Sequence, residues 1–180
     1  LLVFLFDTGM WVFNDKPTLR ILNIIVTTGY YLLNPVICFV WLLYTDYKIF
    51  ESKAELSKRF AFYILPIIVC TIMSLCSPFT EWFFVISKEN HYIRGPYFYV
   101  MAITSIGYLL VTLVIPIVDL RRCKWKEGMD VNLHLILFNV CVIAAAIAQS
   151  LFFGISIIWV CAMLSCVSIY INVQNHEISI

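Results

Sequence analysis

Residues 21–45 read ILNIIVTTGYYLLNPVICFVWLLYT, with Arg20 before them and Asp46 after, and no Asp, Glu, Lys or Arg between. A bilayer's hydrocarbon core takes about 20 apolar residues in a helix, so this run is long enough to cross it. Three more uncharged runs follow, at residues 60–80, 95–118 and 131–176. The first two make one helix each. The last is nearly twice as long as those and must fold back, and the polar, flexible point for that reversal is Gln149-Ser150 with Gly154 close behind. Leu1 to Asn14 form an apolar run too short to span, which opens mid-pattern without a Met and reads as the end of a further helix. The expectation is an all-α membrane protein. It is a polytopic helical bundle of about six transmembrane helices, at residues 1–14 (partial), 19–45, 59–78, 96–119, 131–149 and 152–173.

Composition agrees. The 180 residues are 62% hydrophobic and 13% charged, against about 45–50% and about 25% for soluble globular domains. With 12 Lys and Arg against 11 Asp and Glu, the net charge of +1 offers no basic surface for nucleic acid. The distribution of the basic residues says more than their sum. Lys48, Lys53, Lys58 and Arg59 share one inter-helix segment, and Arg121, Arg122, Lys124 and Lys126 share another on the same side. The opposite side receives Lys16, Arg20, Lys88 and Arg94. The richer side is cytoplasmic by the positive-inside rule, which puts both chain ends in the cytoplasm.

One outer segment has room for structure. An aromatic and β-branched run, Glu81-Trp82-Phe83-Phe84-Val85-Ile86, is followed by the polar turn Ser87-Lys88-Glu89-Asn90 and a second short run, His91-Tyr92-Ile93-Arg94. That is a β-hairpin signal, and residues 79–95 are expected to lie as a short extracytoplasmic β-hairpin across the outer mouth of the helices. The other reading of these aromatics is an interfacial belt. Gly95-Pro96 ends the strand and opens the next helix.

Few polar residues fall inside the spans. Asp7 is the acid there, about 10 Å below the outer end of its helix at 1.5 Å per residue. Ionisable groups at such depth mark a cavity or find a partner, and Asn23, Thr27 and Tyr30 reach the same zone. Asn34-Pro35 interrupts the second span, where proline frees the carbonyl four residues earlier for a kink or hinge; the other reading is a proline that neighbouring helices tolerate for packing alone. Glu81 and Arg94 flank the hairpin, where they can pair or hold a charged ligand. Asp7, Asn34, Glu81 and Arg94 are therefore the candidate ligand-binding residues.

Catalytic patterns are missing. Cys38, Cys70, Cys76, Cys123, Cys141, Cys161 and Cys166 include no C-x-x-C pair and none lies in the outer segment. His91, His134 and His176 do not share a depth that would suit a haem between helices, and residues 151–173 hold no lysine for retinal. No phosphate loop, nucleophile elbow or H-E-x-x-H occurs. No metal or cofactor is expected in these residues.

The aromatic strand, the Asn in the turn and Tyr92-x-Arg94-Gly95-Pro96 leading into a helix resemble the N-terminal multi-helix sensor regions of bacterial GGDEF diguanylate cyclases, to which regions preceding some histidine kinases are related. Gln149, Gly154, Trp159 and the run Ser168-Ile169-Tyr170-Ile171-Asn172-Val173-Gln174-Asn175 look like the last helix before a GGDEF domain. The resemblance implies an input module, residues 1–173, with 174–180 as a cytoplasmic output linker in the inner membrane of a bacterium. It also implies a following cyclase domain that uses GTP and Mg²⁺ to make c-di-GMP. Implied partners are the lipid bilayer, a small ligand of unknown identity and a second copy docked through the output helix, with no nucleic acid. The alternatives are a small transporter or permease fragment, a histidine-kinase sensor region, or an anchor without a ligand.

Overall fold

A computed structural model describes residues 2–122 and 129–151, together with Val160, Met163 and Val167. The chain is mostly helical with one small two-stranded sheet, and it divides into two compact units, Leu1–Tyr108 and Leu109–Ile180.

The first unit begins with α1 (Leu2–Phe13), too short to cross a membrane alone. Asp15, in the left-handed region at φ 63°, turns the chain out of it. A 3₁₀ turn, Pro17–Leu19, leads into α2 (Arg20–Phe50), and the proline sits at the first position of that turn, where its missing N–H costs nothing. α2 continues without a break through Pro35. The expected interruption at Asn34-Pro35 is thus not a break in the helix, since proline removes one bond from a ladder that its neighbours sustain. α2 also runs past the expected end at residue 45. It stops at Glu51, whose left-handed φ of 49° lets its N–H return to Tyr47 O. Ser52 then caps α3 (Lys53–Thr80), accepting a hydrogen bond from Glu55 N at 3.3 Å. Ser-x-x-Glu is the capping-box spacing, and it tightens the expected 45–59 loop into a two-residue reversal.

α3 ends at Glu81, again left-handed, with its N–H on Ser77 O at 2.8 Å. β1 (Phe84–Ile86) and β2 (Tyr92–Arg94) pair antiparallel, Phe84 opposite Arg94 and Ile86 opposite Tyr92. The hairpin expected from the sequence is therefore present. α4 (Phe98–Arg122) follows.

The polarity of these helices is reversed from that of a soluble bundle. Ile21, Phe62 and Phe79 are 75%, 79% and 90% exposed, while Asn23, Thr27, Thr45, Asp46, Ser74 and Ser77 are fully buried. Apolar faces outward with polar groups inward suit a hydrocarbon solvent. Among the described residues, three helices, Pro17–Phe50, Lys53–Thr80 and Phe98–Arg121, are long and apolar enough to cross a membrane.

The second unit holds the end of α4 and α5 (Met129–Leu151), which has a shorter apolar stretch at Leu135–Ala148. Its buried link is Asn139, whose amide donates to Thr112 O at 3.2 Å and Leu135 O at 2.8 Å while Thr112 Oγ1 lies 2.8 Å from Asn139 Oδ1. Asn132 donates to Asp119 at 2.9 Å. Amides between apolar helices are the usual polar glue of membrane proteins. Gln149 and Ser150 lie in the last turn of α5. Gly154, the helix expected over 152–173 and the linker 174–180 lie outside the described residues, apart from the three named above.

Candidate functional site

The hairpin lies against the N-terminal turns of α2, and what lies beneath it is polar. Asn23, Thr27, Tyr30, Tyr31 and Asn34 recur along one stripe of α2 at helical spacing. The first four are buried and Asn34 is half-buried.

Tyr31 is the centre of the packing. Its ring stacks on Phe83 at 5.6 Å and on Phe84 at 5.5 Å, and meets Tyr30 and Phe98 edge-on at 5.5 and 6.3 Å. Such aromatic pairs add to area burial and fix the hairpin's inner face to α2. The Tyr31 hydroxyl meets that of Tyr92 on β2 at 2.5 Å. Arg94, on the same strand, hydrogen-bonds the Tyr92 hydroxyl and places its guanidinium 4.6 Å over the Phe98 ring.

Three of the four candidate residues share one neighbourhood. Asn34 donates to the Tyr30 hydroxyl at 3.4 Å, and the charges of Asp7 and Arg94 both act on that same hydroxyl. Asp7 is buried on α1. Glu81 stands apart. It is exposed at the end of α3 and lines a shallow cleft of about 40 Å³ with Arg20, Ile24, Pro78 and Phe84. That is room for a water or two.

No protein-family model, curated protein or solved structure matches this chain. The site is read from its own geometry.

Sequence reasoning missed the residues that hold the hairpin down. Asn90, left-handed at φ 68° and fully buried, donates its amide to Phe13 O at 2.6 Å and Lys16 O at 2.8 Å, and accepts from Asn23 Nδ2 at 2.9 Å. Arg20, counted above as an orientation charge, donates to Ser87 O at 2.9 Å and Ile86 O at 3.1 Å. Tyr92 N donates to Asn14 Oδ1 at 3.0 Å. At the rim, His91 pairs with Asp15 and lies 3.6 Å from Glu89, and exposed pairs of this kind contribute little. On the other side Ser77 Oγ accepts from Phe83 N and Phe84 N at 2.9 and 3.3 Å. The signal was present in Asn90, an amide in a turn that tolerates the left-handed region, but its partners lie over 65 residues away.

The cluster can exchange hydrogen bonds. Among the described residues, no group of three His, Cys, Asp or Glu is placed to hold a metal ion. Burial pushes the Tyr92 hydroxyl above the ordinary phenol range, with Tyr31 and Arg94 partly opposing it. A raised folded value means that the neutral hydroxyl's contribution is complete below the unfolded value, about 10. It is lost as pH rises through the folded value. Tyrosinate titration of the native chain is expected to contain an alkaline component that Tyr92→Phe removes. Loss of a component at the ordinary phenol value instead would place Tyr92 in water.

Proposed function

We propose that the chain is the membrane-embedded input module of a bacterial c-di-GMP signalling protein. It passes an extracytoplasmic or intramembrane signal through its last helix to a cytoplasmic GGDEF domain. In this reading residues 1–173 form a polytopic bundle of about six helices in the inner membrane, with the hairpin outside and both ends in the cytoplasm. A second copy docks through the output linker, 174–180.

The observation that carries the proposal is the hairpin itself. Tyr92 and Arg94, on which the sequence resemblance rests, face the Tyr30–Tyr31 cluster of α2, and Gly95 closes the strand's corner. A small ligand or a proton acting there biases two packings of similar energy, and the helices carry the difference across the bilayer. The outward apolar faces and the Lys48, Lys53, Lys58, Arg59 group at the α2–α3 reversal support the orientation. The transporter alternative leaned on a helix broken at Asn34-Pro35, and the continuity of α2 there removes that support.

Two measurements test this. Reading the gene past Ile180 is expected to show a GGDEF domain, and a stop codon or an unrelated domain directly after it would remove the cyclase assignment. Single cysteines at Lys88 and Lys53, treated with a membrane-impermeant thiol reagent, test the orientation. Lys88→Cys is expected to react in intact cells and Lys53→Cys only after permeabilisation. The reverse pattern inverts the topology.

A further inference from the structure

The tip of the hairpin is seated in a notch whose chemistry selects one functional group. Two main-chain carbonyls, Phe13 O and Lys16 O, point at Asn90 Nδ2 at 2.6 and 2.8 Å. One amide donor, Asn23 Nδ2, points at Asn90 Oδ1 at 2.9 Å. The direction of that donor follows from Asn90, whose NH₂ is taken by the two carbonyls so that its Oδ1 faces Asn23, while Thr27 Oγ1 donates to Asn23 Oδ1 at 3.3 Å behind it. Asn90, Asn23 and Thr27 are all fully buried.

This arrangement discriminates among small polar groups by their donors and acceptors. A carboxylate has no hydrogen for Phe13 O and Lys16 O. An ammonium or guanidinium satisfies those two carbonyls and leaves the Asn23 donor facing another donor. A primary carboxamide satisfies all three at once, and a site built to hydrogen-bond a group rejects analogues that leave its buried polar atoms unpaired.

The group filling the notch is tethered to a weak element. Each hairpin strand is three residues long, and an isolated two-stranded hairpin is marginal on its own. Asn90 and Arg20 are prominent among its fastenings to the α1–α2 side, through side-chain hydrogen bonds. The α3–α4 side is secured by Gly95 N on Phe83 O, Tyr97 N on Trp82 O and the Ser77 hydroxyl. A competitor for the notch therefore acts on the α1–α2 fastenings, which also include Asp15 N on Asn90 O, Tyr92 N on Asn14 Oδ1 and the Tyr31–Tyr92 hydroxyl pair.

We propose that the notch formed by Phe13 O, Lys16 O and Asn23 Nδ2 is the module's ligand site, that its ligand class is a small primary carboxamide, and that Asn90 occupies it as an internal ligand. Ligand entry and hairpin closure then exclude one another. The signalling consequence rests on the input-module reading; the receptor chemistry does not, and it is tested on the chain itself.

Acetamide matches the Asn90 side chain atom for atom beyond the backbone. The test is Asn90→Gly, which keeps the left-handed backbone accessible, in lipid nanodiscs, read by amide exchange of the segments holding Asp15 and Tyr92. Loss of the latch is expected to speed exchange there about ten-fold or more. Acetamide at about 0.1 M, a concentration suited to so small a fragment, restores protection, whereas acetate and guanidinium at equal concentration do not. Asn90→Asp has the same shape but no donor for the two carbonyls, and it is expected to lose protection likewise. Equal restoration by acetate, no restoration by acetamide, or full protection in Asn90→Gly would each overturn the proposal. If the glycine variant does not reach the membrane, Asn90→Ala is read in the same way. None of these readouts involves cyclase output, so a stop codon after Ile180 leaves this result standing, and failed rescue leaves the sensor reading standing.

Discussion

Arg59→Ala is expected to lower the unfolding free energy by about 3 kcal/mol, the lower end of what breaking a buried ion pair costs. The pair joins the two helices where they reverse. Asp46 on α2 has a side chain only 1% exposed, and Arg59 on α3 places Nη2 2.7 Å from its Oδ1. The Tyr63 hydroxyl donates to the other oxygen at 2.9 Å. The arginine is further fixed by lying 4.5 Å over the Phe50 ring. Without it the carboxylate keeps one neutral donor, and it must either take up a proton or let the helix ends part to admit water. The decisive comparison is with the pair removed whole. Asp46→Leu with Arg59→Leu leaves no buried charge, and replacing a buried pair by apolar side chains of similar size is commonly near neutral. Thermal unfolding in detergent is therefore expected to show the double variant more stable than Arg59→Ala. If the two are equally destabilised, the arginine acts through its stacking on Phe50 rather than through its charge.

Asp46 also shows where sequence reading stops. In the sequence it is the charge that ends an uncharged run, so the helix was expected to end beside it. In the structure α2 goes on to Phe50 and Asp46 is buried, because a cation 13 residues further on folds back to neutralise it. Nothing local to Asp46 announces that partner. The apolar runs were legible because a bilayer imposes a length, and the hairpin was legible because β-branched and aromatic runs around Ser87–Asn90 encode a turn. Asp7 stood out as a charge in a costly place, and Arg94 as a charge flanking the hairpin, where it lies 4.6 Å over the Phe98 ring. Asn90 was read as a turn residue, Arg20 as an orientation charge and Asn23 as a neighbour of Asp7, and none of them as a fastening of the hairpin. Each is an ordinary residue in its own segment and acquires its role only from carbonyls and amides brought near by the fold. Pro35 carries two readings in the sequence, a kink and plain packing, and α2 runs unbroken through it.

Gly95→Ala is the substitution expected to damage the hairpin most directly, at about 3 kcal/mol, the upper end of what one inserted methyl costs. Gly95 closes the corner between β2 and α4, with its N–H on Phe83 O at 2.9 Å. A Cβ there would lie 2.4 Å from Trp82 O and 2.6 Å from Glu81 O. Both are main-chain atoms, and neither is free to retreat. Trp82 O accepts from Tyr97 N at 2.9 Å, and the next two amides are held by Ser77 Oγ. Glu81 is already in the left-handed region at the end of α3. Relief of the clash must therefore break the bonds that hold the hairpin to α3 and α4. Gly29→Ala provides the contrast. Its Cβ would lie 2.7 Å from the Phe6 ring, a side chain that can turn aside, and its cost is expected to be about 1 kcal/mol. Amide exchange across residues 82–98, together with the yield of monodisperse protein, measures both variants. Gly95→Ala is expected to expose the hairpin while Gly29→Ala leaves it protected, and the opposite order would mean that the corner carries none of the hairpin's stability.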